Sequence, residues 1–279
     1  MKNKAFSLLL DFYLEEEFIL KTKDVAISGI MIALVFVLTF AIKVPVPFTR
    51  GYVHLGDSMI FISAILFGRR VGALAGGLGS ALADLVGGYA YWAIPTLIIK
   101  SVMGALVGWI SDSYRNKYSG KKELTIFLSS IGIWLAFSLT LSLFLKNLIA
   151  NLATSPFTNN LMNELGYENI EELENFLLNA RVLINIILLA IPIAIILISL
   201  FLRGKDSKIF RLGNLMGSMI AGLWMVIGYF FTGRIIVGNW VMPIFEVPWN
   251  VLQFTVGIIV AYIVLFGLQN TKLFENSQK

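Results

Sequence analysis

The stretch GYVHLGDSMIFISAILFGRRVGALAGGLGSALADLVGGYAYWAIPTLIIK, running from Gly51 to Lys100, decides the fold. It is apolar and rich in glycine, yet it holds His54, Asp57, Asp84 and Lys100 at or inside membrane depth. Ionisable groups there are costly and mark a task. The rest of the chain has the same character: 57% of its 279 residues are hydrophobic and 14% charged, against about a quarter charged in a soluble domain. Mean hydropathy is +0.80. These values define an all-α integral membrane protein, a polytopic helical bundle.

Working outward, eight stretches are candidates for crossing a hydrocarbon core of about 30 Å. They are 25–43, 55–68, 71–88, 91–111, 124–146, 182–202, 212–232 and 248–268. The second is short, and Gly68-Arg69-Arg70-Val71 reads as a tight basic turn joining it to the third in a hairpin. Residues 1–24, with Glu15, Glu16 and Glu17 among Phe12, Leu14, Phe18 and Ile19, read as a cytoplasmic interfacial helix. The acidic cluster and missing cleavage site argue against a signal peptide.

Orientation follows from the basic residues. With the N-terminus inside, 16 of the 22 Lys and Arg fall in inner segments and five outside, with Lys100 buried. Both termini are therefore expected in the cytoplasm, with the chain in the plasma membrane. The net charge of +5 needs no nucleic acid to explain it. Without cysteine, and with His54 the only histidine, neither a thiolate nor a polyhistidine metal centre is expected, and no cofactor is called for.

On this topology the polar residues gather in the outer half. His54 and Asp57 open the second segment, Asp84 lies about a turn below the end of the third, and Tyr91, Thr96 and Lys100 descend the fourth. Tyr229 ends the seventh, while Asn250 and Gln253 share a face of the eighth. A channel or proton relay strings polar groups across the full thickness, whereas a one-sided cluster suits a cup that captures solute from outside. Each residue also has a plain structural role open to it. Asp84 and Lys100 can neutralise each other, Asp57 can cap its helix, His54 can sit solvated in a loop, and Tyr91, Trp92, Trp240 and Trp249 can belong to an interfacial belt. The stripe Gly72, Ala75, Gly76, Gly79, Ala83 and Gly87 reads as a close-packing surface.

No GxxxxGK[ST] phosphate loop occurs, so uphill transport would draw on an ion gradient or a partner. The motifs VPVPFTRGYVHLGD, LFGRRVGALAGGLGSALADLVGGY and AIPTLIIKSVMGALVG between Lys43 and Lys100 resemble the substrate-binding S component of energy-coupling factor (ECF) vitamin transporters, in particular its LGD-containing branch. So do NLMGSMIAGLWMVIGYFFTG and VPWNVLQFTVGIIVAYIV within 212–268. The resemblance implies a six-helix core, 25–112 and 212–268, with 113–211 inserting two helices and an outer loop. It implies a receptor for a small-molecule vitamin that docks on a transmembrane coupling subunit driven by a pair of ABC-type ATPases. Partner contact would fall on Ala26, Gly29 and Ala33 of the first helix; ordinary packing within the bundle is the alternative. The binding pocket would draw on 44–54, 91–100, 229–234 and 246–253. The residues expected to bind substrate are His54, Asp84, Tyr91, Thr96, Lys100, Tyr229, Asn250 and Gln253.

Tyr, Trp, Asn and Gln around charged groups suit a small heteroaromatic ligand, pyridoxine-like or hydroxymethylpyrimidine-like rather than riboflavin. The loop helix Ile170 to Ala180, apolar through Ile170, Leu173, Phe176 and Leu177, either covers the pocket as a lid or rests on the membrane surface. A stand-alone secondary transporter is the alternative function. An enzyme is not expected, since Glu171-Glu172 lies in a polar loop with no second histidine.

Overall fold

A computed structural model describes residues 22–46, 51–116, 120–155, 158–202, 212–240 and 242–269, together with Thr271. The interfacial helix expected before Val25 lies almost wholly outside the described residues. The elements are α1 (Thr22–Ala41), β1 (Lys43–Pro45), β2 (Tyr52–His54), α2 (Gly56–Val86), α3 (Ala90–Asn116), α4 (Gly120–Ala150), a 3-10 turn (Leu152–Thr154), α5 (Thr158–Leu165), α6 (Ile170–Leu202), α7 (Leu212–Val237) and α8 (Met242–Leu268). Seven of the described helices are long and apolar enough to span a bilayer. The protein is a multi-pass helical bundle.

The difference from the eight expected spans lies in α2. Counted by length it is one helix, but Gly68 has φ +84° and ψ −176°, values that only glycine adopts without strain. The chain reverses there. In a straight helix residues eight apart stand about 12 Å from each other. Here a Cβ built on Gly72 would lie 2.6 Å from the Ala64 Cβ, and one on Gly76 would lie 3.1 Å from Ile60. The arms 56–67 and 69–86 therefore run antiparallel as the hairpin that the GRR turn suggests, and 56 and 86 emerge at the same end.

Glycine also sets how α3 packs on the second arm. A Cβ on Gly72 would stand 2.8 Å from the Gly104 carbonyl, and one on Gly76 2.7 Å from that of Lys100. Backbone meets backbone, as the small-residue stripe leads one to expect. At the far end, the Arg69 N–H donates to Asp112 Oδ2 at 3.2 Å. On its other side the arm meets α1, where a Cβ on Gly79 would fall 2.7 Å from the Ile32 carbonyl. Helices α7 and α8 complete the core against α3 and α2, while α4 leans on α7 and α6 on α4.

One expectation is corrected at the periphery. Ile170 to Ala180 is neither a lid nor a separate surface helix, because α6 is continuous from Ile170 to Leu202. At about 1.5 Å per residue it runs some 50 Å, longer than a bilayer core. Its projecting turns bury Leu173 and Leu177 with Ile149, Leu152 and Leu161, and Phe176 stacks on Phe245 of α8 at 5.7 Å. Ala26 and Gly29 and Ala33 are exposed on α1, with nothing within 4 Å of a Cβ built on Gly29. Among the described residues, nothing packs closely against the Gly29 face.

Filling the α2–α3 seam should break the fold. Gly72→Val places methyl groups against backbone on both sides, where overpacking has no flexible side chain to displace. Thermal unfolding in detergent should show the variant losing its folded, monodisperse form, while Gly29→Val melts as the native chain does.

Candidate functional site

The arrangement begins with Lys100, which is fully buried in α3. Because the α2 hairpin returns arm 56–67 alongside α3, the Lys100 ammonium meets Asp57 in the first turn of that arm, and the two form a salt bridge with both side chains inaccessible. The second carboxylate oxygen, Oδ2, accepts Gln253 Nε2 from α8 at 2.9 Å. The other end of that amide, Oε1, accepts the His54 backbone N–H at 3.0 Å. The two bonds fix the amide's orientation, since a flip would set N–H against N–H. One ion pair thus ties α2, α3, α8 and β2 together.

This corrects two expectations. Lys100 is neutralised by Asp57 and not by Asp84, although Asp84 is closer in sequence. Asp57 does not serve as a helix cap: Leu55 holds that position without a side-chain cap bond, and the Asp57 carboxylate is committed to Lys100 and Gln253. His54 is not solvated but 9% exposed. Its Nδ1 accepts the Gly56 N–H at 3.1 Å, which leaves the imidazole proton on Nε2. Burial, and then the nearby Lys100 ammonium, holds its pKa down to about 3.

Above this floor is a half-open cleft of about 460 Å³, counting the solvent at its mouth. It lies at the end of the bundle where the β1–β2 hairpin folds back, with Lys43 opposite His54 and Pro45 opposite Tyr52. From that hairpin Tyr52 donates to Asp84 Oδ1 at 2.6 Å. Burial, and then the Asp84 charge, pushes the Tyr52 pKa well above its ordinary value, so it stays a donor. Trp92 meets Tyr229 edge to face at 5.6 Å, and Tyr229 donates to Thr96 Oγ1 at 3.2 Å. Trp224 Nε1 donates to the Ile99 carbonyl at 3.2 Å, holding α7 on α3. Glu246 and Asn250 line the cleft from α8.

Of the residues expected to bind substrate, His54, Asp84, Thr96, Tyr229, Asn250 and Gln253 line this cleft. Lys100 lies beneath it, and Tyr91 is turned away, 48% exposed, against Trp92 and Tyr89. One helical step separates Tyr91 from Trp92, and the second faces inward. Sequence reasoning did not single out Tyr52 or Glu246, although both lie in the segments 44–54 and 246–253 expected to form the pocket, and it read Trp92, which is buried and lines the cleft, as part of an interfacial belt. The only signal for Tyr52 was its place in the first outer loop, and the Pro243 and Pro248 around Glu246 disguised a helix that begins at Met242.

The model of the family described as the ECF-type riboflavin transporter, S component, matches residues 19–197. The chain belongs to this family. S components are substrate-binding parts of transporters, not enzymes. The matched span runs on through α4 and most of α6 and ends before α7. A partial relative in Lactococcus lactis, named thiamine precursor transporter HmpT, is 34% identical over 31% of this chain and 52% of its own. An uncharacterised Pyrococcus woesei protein is 49% identical over 29% of this chain and 55% of its own. A UPF0397 protein of Streptococcus agalactiae is 26% identical over 38% of this chain and 58% of its own. The chain spans about half the length of these curated relatives.

Two outcomes follow for the floor of the site. Lys100→Met leaves Asp57 as a buried charge without its counter-ion and should cost about 3–5 kcal/mol; adding Asp57→Asn should recover much of it, read by unfolding of the purified chain. For His54 the folded pKa lies below the ordinary 6.5, so the unfolded state takes up the proton first. The stability His54 contributes is full above pH 6.5 and drains away as pH falls toward 3. His54→Asn should melt with a flatter pH dependence across that window.

Proposed function

We propose that this S component is a membrane receptor that takes a small heteroaromatic vitamin or precursor from outside the cell and delivers it through an ATP-driven ECF assembly. The observation that carries this reading is the cleft itself: a polar, aromatic-walled cup confined to one end of the bundle, above a neutralised ion pair. Family membership supplies the class, and the partial relative named for thiamine precursor transport favours a hydroxymethylpyrimidine-like ligand, with a pyridoxine-like ring as the other choice.

In this reading the walls do the recognition. Tyr52, Asp84, Trp92, Thr96, Tyr229, Glu246 and Asn250 contact the ligand, while Lys100, Asp57, Gln253 and His54 hold the floor in position. Both polar ends of the Gln253 amide are already engaged, so its role is placement. The excess of Lys and Arg in alternate loops supports cytoplasmic termini and a cleft that opens outward. Segments 25–112 and 212–268 form the receptor core, and 113–211 is an accessory unit braced against it. The exposed small residues Ala26, Gly29 and Ala33 offer a flat face for a transmembrane coupling subunit, itself driven by two ABC-type ATPases.

The ion pair buried at membrane depth favours one other reading, a secondary transporter that couples solute movement to a cation through Asp57 and Lys100. Reconstitution separates the two. The purified chain alone in liposomes should bind vitamin yet move none, and uptake should appear only when coupling subunit, ATPases and ATP are added. Uptake by the chain alone that collapses with the proton or sodium gradient would establish the secondary transporter instead. Tyr229→Phe and Asn250→Ala should each weaken binding by about tenfold, measured by calorimetry, with the melting temperature little changed.

A further inference from the structure

Among the described residues that line the cleft there are two carboxylates and no lysine or arginine. Asp84 and Glu246 are 4% and 5% exposed. Asp84 Oδ1 accepts the Tyr52 hydroxyl, but Oδ2 is buried with no hydrogen-bond partner among the described residues. The Thr96 hydroxyl accepts the Tyr229 O–H, which leaves its own hydrogen to interact with this carboxylate, while Oδ2 still has no partner at ordinary hydrogen-bond distance among the described residues. A carboxylate oxygen removed from water and left unmatched is unfavourable, and a ligand that supplies a donor relieves it.

Three described cations nearby are already engaged. Arg234, one residue from the Gly233 that lies against Glu246, stands over the Trp240 ring at 5.3 Å. Lys100 is held by Asp57. Lys43 stands over the faces of Phe40, Tyr52 and Tyr89, with its ammonium 4.4, 5.0 and 5.5 Å from their centroids. His54 is neutral, as its low pKa requires. The remaining wall is the aromatic pair Trp92 and Tyr229, whose ring faces attract positive charge. Every one of these features points to the same kind of partner.

We propose that the cleft selects ligands presenting N–H donors or a positive charge, with an amino or protonated ring nitrogen bonded to Asp84 Oδ2 and Glu246, which has contacts of its own, adding to the negative field of the wall. This rests on the receptor reading above and narrows it. Among single-ring vitamins and precursors, amino-bearing members bind more tightly than their oxo or hydroxyl counterparts, because an oxo group brings an acceptor to an acceptor and a hydroxyl, although it can donate, brings no positive charge.

The test is calorimetric titration of the full chain in nanodiscs with three matched pairs. These are amino-bearing hydroxymethylpyrimidine against its oxo counterpart, pyridoxamine against pyridoxine, and benzylammonium against benzyl alcohol. The amino-bearing member should bind about 30-fold more tightly in the pair that fits. Asp84→Asn keeps an acceptor for Tyr52 while turning a donor toward the ligand, and should bring that pair within about threefold. Glu246→Gln should give a smaller loss of discrimination and reads the same effect if the Asp84 variant does not fold. Equal or tighter binding of the oxo and hydroxyl members, or a preference that survives both substitutions, overturns the proposal. If neither vitamin ring binds at all, the receptor reading falls separately, and the benzylammonium pair still reports whether the cleft prefers positive charge.

Discussion

A lysine and an aspartate sealed from water at membrane depth are tolerable only as a pair, and the placement of everything around the cleft depends on that pair. Lys100 and Asp57 are both inaccessible, so neither is affordable alone. Once they meet, the remaining carboxylate oxygen needs a donor, which Gln253 supplies, and the far end of Gln253 needs a donor in turn, which the backbone of His54 supplies. A single electrostatic requirement thereby fixes α3 to α2, α8 to α2, and the β-hairpin to α8. The polar groups in the floor of the cleft are matched, whereas in the wall an oxygen of Asp84 has no hydrogen-bond partner among the described residues.

The pair can form only because of glycine. Arm 56–67 reaches the middle of α3 by reversing at Gly68, and it fits there because Gly72 and Gly76 leave room for Ala64, Ile60 and the α3 backbone. With side chains at those positions, α3 would stand off and Lys100 would reach no partner. Packing in the apolar half of the hairpin and charge pairing near its mouth are therefore one device, and the glycine stripe is as much a part of the site as the residues lining it.

How much of this was legible from the sequence varied by residue, for physical reasons. Hydropathy located the spans, since hydrocarbon imposes its length on any helix that crosses it, and the Gly68-Arg69-Arg70 turn announced the hairpin. The depth argument brought His54, Asp84, Thr96, Tyr229 and Asn250 to one end, where the cleft lies. It failed on partner choice. Asp84 and Lys100 lie on consecutive helical segments, but which carboxylate reaches the ammonium depends on how the short arm lies, and spacing does not encode that. Tyr91 and Trp92 illustrate the resolution limit: one helical step of about 100° decides between lipid and cleft. The α6 extension was misjudged because an amphipathic stretch reads alike whether it continues a helix or begins a new one.

The central claim is that ligand occupies the walls of the cleft above an intact ion pair. The most direct measurement is an experimental structure of the chain with its co-purified or added vitamin bound. The account predicts ligand density bounded by Asp84, Trp92, Tyr229 and Asn250, with Lys100 still on Asp57 beneath it. Density inserted between Lys100 and Asp57, or lodged at the opposite end of the bundle, would contradict it.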